Sequence, residues 1–306
     1  MLLASILFCI LIALLTHTSL GRSYVLSGLG AWYQNAIPAL FPFLVVSGII
    51  IRMGLEKRVI RLLYPVIKRF FKASERAAYV IFIGVLCGFP MGARTVNDLY
   101  EKKALSLQES RWLLSFTNHL GPAFFFAILL PLFPGLKTNG KLLYFLGAYG
   151  IPLLYGAILR RTLYRGMKSH KEVLIKEKQR PGLKLSDALA ASLKSAVDAM
   201  LSIGGYLLFF SLLNVIPEIL LGRAVLELSP LLEITTGLVR IGNAHPLYSL
   251  ACFTFGGLSC MAQTKACLRT SELKDFMTEY VFHKCVLTLV CTAYFFFLEF
   301  LPDFPT

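Results

Sequence analysis

The sequence is poor in acidic residues and has no long polar stretch. Its 306 residues include 17 Asp and Glu against 31 Lys and Arg, which gives a formal net charge of +14. The longest polar interval between apolar segments, 160–185, is too short for a soluble catalytic domain, which needs about 50 residues or more. Any function is therefore expected to be carried out at a membrane.

Metal and nucleotide motifs are also missing. The seven cysteines form no C-x-x-C pair and the five histidines no H-E-x-x-H, so neither a zinc site nor a metalloprotease helix is predicted. Residues 135–142 approach a P-loop, but Leu142 replaces the Ser or Thr that would hold magnesium. We predict no metal, no cofactor and no ATP-driven step.

Apolar residues are abundant instead. They make up 56% of the chain, and the mean hydropathy is +0.67. About eight segments are long enough for a span of about 20 residues: 2–20, 37–54, 78–97, 112–133, 142–160, 198–217, 246–267 and 278–300. The first lacks a basic start and a clear cleavage site, which favours a retained helix over a secretory signal. The fold class is all-α, a polytopic integral membrane protein.

The basic residues cluster beside these segments, at 52–76 and 160–184. This placement indicates cytoplasmic loops that lie against anionic lipid, and it argues against nucleic-acid binding. Residues 57–72 carry apolar side chains on one face and basic ones opposite, typical of a helix in the membrane interface. We predict an N-terminal membrane helix at 1–20, a first repeat at 26–165, a basic linker at 166–190 and a second repeat at 191–306.

Two basic loops on the same side require an even number of crossings between them, but three apolar segments intervene. We therefore predict that 78–97, which contains Gly84, Gly88, Pro90 and Gly92, is a re-entrant hairpin. The two halves are then inverted repeats, each with a broken or re-entrant helix, and 246–267 is the matching hairpin. That placement leaves Lys265, Arg269 and Lys274 outside, against the charge rule. The alternative is that 246–267 spans the membrane.

Paired broken segments of this kind point to a transporter substrate site near the midplane. One wall is predicted from Gly88, Pro90, Gly92, Arg94 and Thr95, and the other from Gly256, Gly257, Ser259, Gln263 and Thr264. Arg94 and the start of a half-helix would favour an anion. Other readings are open: Gly84, Gly88 and Gly92 as a close-packing face, Arg94 extended to the inner surface, and Gln263 and Thr264 as helix-packing residues.

Two polar patches complete the candidate site. Asn118 interrupts the next span and is a further substrate-binding candidate. Glu233 precedes Thr235 and Thr236, and it either binds a coupling cation or proton or caps an interfacial helix. An intramembrane enzyme would need a nucleophile and a base, and only Ser259 with the distant His119 or His283 is available, so no enzyme is predicted.

Five motifs carry a family resemblance, and they run in order from about Trp32 to Phe297: P-A-L-F-P-F at 38–43, G-F-P-M-G-A at 88–93, N-H-L-G-P at 118–122, E-I-T-T-G at 233–237 and F-G-G-L-S at 255–259. Together they resemble the YlbJ-type sporulation integral membrane proteins, which are grouped with the nucleoside-recognition, or Gate, domain proteins. His119 stands where that family tends to have Asn, and this chain is shorter than the usual member.

The resemblance implies movement of a small solute across a bacterial cell membrane or a forespore-associated membrane, with dipicolinate as the solute in spore formers. Our prediction is a permease for a small anionic, dipicolinate-like carboxylate. A nucleoside transporter of the same fold is one alternative, and a membrane assembly protein of sporulation that transports nothing is another. The oligomeric state is not indicated.

Overall fold

The computed structural model describes residues 2–167 and 184–300, and within these ranges all regular structure is helical. The predicted linker at 166–190 therefore lies mostly outside the described residues. The first half contains α1 (Leu2–Thr16), α2 (Thr18–Ala31), α3 (Ile37–Arg52), α4 (Glu56–Phe71), α5 (Glu75–Cys87), α6 (Met91–Glu101), α7 (Leu107–Thr117), α8 (Pro122–Phe124), α9 (Thr138–Phe145) and α10 (Ile151–Arg161).

The second half contains α11 (Leu185–Leu212), α12 (Val215–Leu221), α13 (Ser229–Leu232), α14 (Ile234–Ile241), α15 (Pro246–Phe255), α16 (Gly257–Cys267), α17 (Ser271–Lys274) and α18 (Met277–Glu299). Short π-helical stretches join α2 to α3 and α9 to α10, and another continues α8. The all-α prediction is confirmed.

Five helical stretches of the described chain are long and apolar enough to cross a membrane: Thr18–Arg52, Leu107–Leu132, Thr138–Arg161, Leu185–Leu221 and Ser271–Glu299. Each contains or overlaps one of the predicted apolar segments. The segments at 78–97 and 246–267 are divided by breaks at Gly88–Pro90 and Gly256.

The first spans of the two halves pack along each other. Small residues allow the contact, because Gly48 faces Ser192 and Gly204 faces the ring of Trp32. The Trp32 indole Nε1 donates a hydrogen bond to the Met200 carbonyl at 3.0 Å. This helix pair is the scaffold on which the broken elements of both halves rest.

The re-entrant hairpin predicted at 78–97 is present. Helices α5 and α6 lie side by side and turn at Gly88–Pro90, where Gly88 has φ +65°. A second hairpin is formed by α13 and α14, and sequence reasoning missed it because it is short. Its arms are so close that Gly237 packs directly on the backbone of Ser229 and Pro230.

The predicted second hairpin at 246–267 is wrong. Helices α15 and α16 pack on different partners, α15 along α18 and α16 against α11, and not along each other. This packing favours the alternative, a segment that crosses the membrane with a break in its middle, as α7–α8 does in the first half. The crossing itself stays a prediction.

Contacts at the end of α16 place that end on the same face as the end of α6. Arg269 pairs with Asp98 and, at 3.2 Å, with Glu101, and its backbone N–H donates to Asn97 Oδ1 at 2.8 Å. The α6 end also carries Lys102 and Lys103. Lys265, Arg269 and Lys274 therefore lie on the same face as the basic end of α6, which the charge rule predicts to be cytoplasmic, and the conflict with that rule disappears.

Both halves now show one order of elements. A first span (α2–α3, α11) is followed by a surface helix (α4, α12), a hairpin (α5–α6, α13–α14), a broken span (α7–α8, α15–α16) and a last span (α9–α10, α18). With α15–α16 taken as a crossing, each half has three crossings, and the second half is then predicted to be inverted relative to the first. The hairpin tip at Gly88 thus corresponds to the tip at Glu233, and the break at Asn118 to the break at Gly256.

Candidate functional site

In the first half, the hairpin tip lies against the break in the following span. The Phe89 N–H donates to the His119 carbonyl at 2.9 Å, and Gly88 packs on the backbone of Gly121 with no room for a Cβ atom. Gly84 and Gly92 face Thr117 in the same way. The glycines therefore form a close-packing face and also belong to a helix break. The two interpretations of the sequence, close packing and a broken helix, both apply.

The second half repeats this arrangement with different residues. Gly257, at φ +74°, opens α16 and lies against the Pro230 carbonyl and the Ile234 N–H at the tip of the second hairpin. Gly256 is also left-handed, at φ +87°, and faces the ring of Phe89. The tip of the first hairpin thus meets the break of the second half at this Phe89–Gly256 contact.

Asn118 joins the two halves by hydrogen bonds. Its side-chain amide donates to Thr264 Oγ1 at 2.7 Å and to the Tyr280 hydroxyl at 3.1 Å. Its Oδ1 accepts from the Ala93 N–H at 3.4 Å, near the start of α6. Thr264, predicted for the second wall, and Asn118, a further substrate-binding candidate, are thus in direct contact.

Glu233 is 2% exposed and caps α14. Its Oε2 accepts from the Thr236 N–H at 2.7 Å and from the Thr236 hydroxyl at 2.9 Å, while Ser259 Oγ lies 3.5 Å from Oε1. These partners are donors, which suit a carboxylate and not a shared cation. Of the two readings left open by the sequence, the arrangement favours the cap.

A lysine that sequence reasoning missed lies where the first hairpin tip meets the break of the second half. Lys284 is 3% exposed within α18; its Nζ donates to the Thr254 carbonyl at 3.2 Å and lies 4.8 Å from the centre of the Phe89 ring. Among the described residues, no carboxylate is within ion-pair distance of it. A charged lysine in the middle of a span costs about 2.5–3.5 kcal/mol on insertion scales, so its retention points to a function.

His119 adds a buried polar atom without a partner. Its Nδ1 lies 3.2 Å from its own neighbour's carbonyl, that of Leu120, and its ring meets the ring of Tyr149 edge-on at 5.2 Å. The other ring nitrogen, Nε2, is buried and has no hydrogen-bond partner in the described structure. An unpaired buried nitrogen costs about 1–3 kcal/mol unless something binds it.

The other residues predicted for the site include Arg94, Thr95, Gln263 and Pro90. Arg94 is exposed on α6, near Cys267 at the predicted cytoplasmic end. Its side chain therefore extends to the surface and does not reach the contact between Phe89 and Gly256. The Thr95 hydroxyl donates to its own helix, to the Met91 carbonyl at 2.8 Å. Gln263 is buried on α16, and Pro90 is half-buried at the hairpin tip.

A signal for Lys284 is present in the sequence, since it is a single basic residue inside the apolar segment 278–300. A lone basic residue within a span is a weaker signal than the glycine and proline breaks, since the sequence does not show whether its side chain faces the interior. The short hairpin at α13–α14 also has a signal, in that E-I-T-T-G follows a proline and a polar cap. Only the packing of Gly237 on Pro230 shows that the chain reverses there.

Comparison with known proteins identifies a related membrane protein. The chain is 28% identical over 231 residues to the sporulation integral membrane protein YlbJ of Bacillus subtilis (strain 168). The resemblance to YlbJ-type proteins is confirmed. The alignment covers 70% of this chain and 56% of the YlbJ protein, so the chain spans little more than half of that relative. With the apolar helices, the match establishes a multi-pass membrane protein.

No family model and no solved structure matches the chain. The grouping with nucleoside-recognition proteins therefore stays a prediction. So does the assignment of any solute, since the printed name of the YlbJ relative gives none.

Proposed function

We propose that this YlbJ-type protein is a permease for a small anionic solute, a dipicolinate-like carboxylate, and that it acts in sporulation as its relative's name indicates for that protein. The observation that carries the proposal is the position of Lys284. A buried ammonium group, which has no carboxylate partner in the described part of the chain, lies beside the contact of the first hairpin tip with the second break, Phe89 on Gly256. A carboxylate there would supply the missing charge.

The surrounding elements support movement of a solute. Freed backbone groups inside a membrane are tolerated where they are buried in protein or line a cavity, and both breaks lie in the protein interior. Hairpin tips reach these breaks from opposite faces, as in transporters built from inverted repeats. Lys284 thus takes the part first expected of Arg94.

The uncharged polar groups around the site would also suit a nucleoside, which is the alternative solute. Asn118, Tyr280 and the unpartnered nitrogen of His119 are the kinds of group that bind hydroxyl and ring nitrogen atoms. A nucleoside carries no carboxylate, however, and would leave the charge of Lys284 uncompensated. We therefore place the carboxylate first.

The test is uptake of labelled dipicolinate and, in parallel, uridine into proteoliposomes. Variants are Lys284→Met and, as a matched control, Lys265→Met, which removes an exposed lysine at the end of α16. A charged hydrogen bond contributes about 1.5–3 kcal/mol, so we expect Lys284→Met to lower dipicolinate uptake at least about tenfold. Lys265→Met should retain it.

Thermal unfolding of the same variants separates function from folding. Replacing a buried charge with an apolar side chain of similar volume is often neutral or stabilising, so Lys284→Met should unfold at the same or a higher temperature. Uridine uptake that survives Lys284→Met would favour the nucleoside reading. Failure of both solutes to move, in vesicles that contain folded protein, would favour the assembly protein.

A further inference from the structure

Helix α4 shows three distinct faces. Successive residues of a helix turn by about 100°, so residues four apart share a face. Ile60 and Phe71 are buried against the protein, and Phe71 stacks on Phe116 of the broken span at 5.7 Å between ring centres. This contact fixes α4 on α5 and α10 and determines which faces point away.

The second face is apolar and uncovered. Leu62 is 78% exposed, Val66 57% and Phe70 56%, and Leu63 borders them. These positions are spaced by four and form one continuous strip. An exposed apolar strip of this kind marks a surface that is covered in the working protein.

The third face is basic and adjoins the apolar strip. Arg58, Arg61, Lys68 and Arg69 are all exposed, and Glu56 is the single acidic residue of the helix. An apolar strip bordered by cations matches the boundary between acyl chains and anionic headgroups. The position of α4 beside the cytoplasmic end of α10, which carries Arg160 and Arg161, places this face at the inner leaflet.

The corresponding helix of the second half is shorter and lacks the basic face. Helix α12 exposes Leu220 and Leu221, as α4 exposes its strip, but its sequence V-I-P-E-I-L-L has Glu218 and no basic residue. The inverted repeat places α12 at the opposite face of the membrane. Both surface helices expose apolar side chains. Of the two, only α4 also carries a basic face that can bind anionic headgroups.

We propose that α4 is a binding surface for anionic phospholipid of the inner leaflet, with acyl chains on the Leu62–Val66–Phe70 strip and headgroups on Arg58, Arg61, Lys68 and Arg69. This site is separate from the solute site and holds whether or not the protein transports anything. Headgroup binding would add to the apolar contact and make it selective for negative lipid.

The experiment uses tryptophan quenching in nanodiscs that contain the whole chain. Val66→Trp is the reporter, and the emission of the wild type, with its two tryptophans, is subtracted. In bilayers of mixed phosphatidylglycerol and phosphatidylcholine, one lipid at a time is brominated. We expect stronger quenching by brominated phosphatidylglycerol, with the difference lost at high salt.

Two further variants make the result decisive. Leu220→Trp on α12 should show a much smaller preference for phosphatidylglycerol than Val66→Trp, because α12 itself carries no basic residue and only Arg223 follows it. Val66→Trp combined with glutamine at Arg58, Arg61, Lys68 and Arg69 should keep its quenching and lose the preference. Equal quenching of Val66→Trp by both lipids, or none, would overturn the proposal.

Discussion

At the scale of single residues, Glu233 offers a direct test of cap against coupling site. As a cap, it satisfies the buried N–H of Thr236, so Glu233→Ala should lower the free energy of unfolding by about 0.5–2 kcal/mol. Glu233→Gln keeps an acceptor oxygen and should cost less. The measurement is thermal unfolding of both purified variants.

Solute uptake by the same variants distinguishes the roles. A cap predicts that Glu233→Gln transports at close to the wild-type rate, since the fold is kept. A coupling site predicts the reverse, a stable protein in which a proton or cation gradient no longer drives uptake. That second pattern would return Glu233 to the coupling role first considered for it.

Residue identity was easier to predict than residue orientation. Asn118 was expected at the site because it interrupts an apolar span and Thr264 because it follows the glycine break at 256–257, and the structure joins them by a hydrogen bond. Arg94 was expected there too, but one helical position decides whether a side chain faces the interior or the surface. The sequence shows the charge and not its direction, and so Lys284 on α18 was missed.

At the scale of helices and breaks, the first hairpin depends on Gly88. Its backbone, at φ +65° and ψ −154°, is one that only glycine adopts readily, and Gly121 occupies the space of a Cβ atom. We expect Gly88→Ala to lower the unfolding temperature sharply and abolish uptake. Purified variants can be compared by fluorescence-detected unfolding.

Gly222→Ala is the matched control for this substitution. Gly222 has a similar φ, +66°, at the end of α12, but nothing lies within 4 Å of its ideal Cβ position. It should suffer only left-handed strain, about 1–2 kcal/mol. Equal destabilisation by the two variants would show that backbone strain, and not the contact of tip and break, makes Gly88 necessary.

Helix breaks were predictable, but their consequences were not. Glycine and proline at 88–92 and 256–257 indicate where helical hydrogen bonding stops. Whether the chain then reverses or continues depends on neighbours far along the sequence. Gly237 packs on Pro230, and the chain reverses between α13 and α14. Helix α15 instead packs along α18, and the chain continues past the break.

At the scale of the whole molecule, the order of elements fixes the sidedness of every loop. With three crossings in each half, residues 268–276 are predicted on the cytoplasmic face and the end of α18 on the outer face. The contact of Arg269 with Asp98 requires the first of these, because Asp98 lies at the end of the first hairpin. A re-entrant 246–267 would have placed both ends on the reverse sides.

Reporter fusions can test this topology. We expect a fluorescent protein fused after Lys274 to be bright and alkaline phosphatase at the same point to be inactive, since this loop lies inside. Phosphatase fused after Glu299 should be active, because one more span, α18, intervenes. A fusion after Met167 is the internal control, since the basic loop there is cytoplasmic under either topology. Reversed signals at both Lys274 and Glu299 would support a re-entrant hairpin at 246–267. In that case the Gly88 tip would not correspond to the Glu233 tip, nor the break at Asn118 to the break at Gly256.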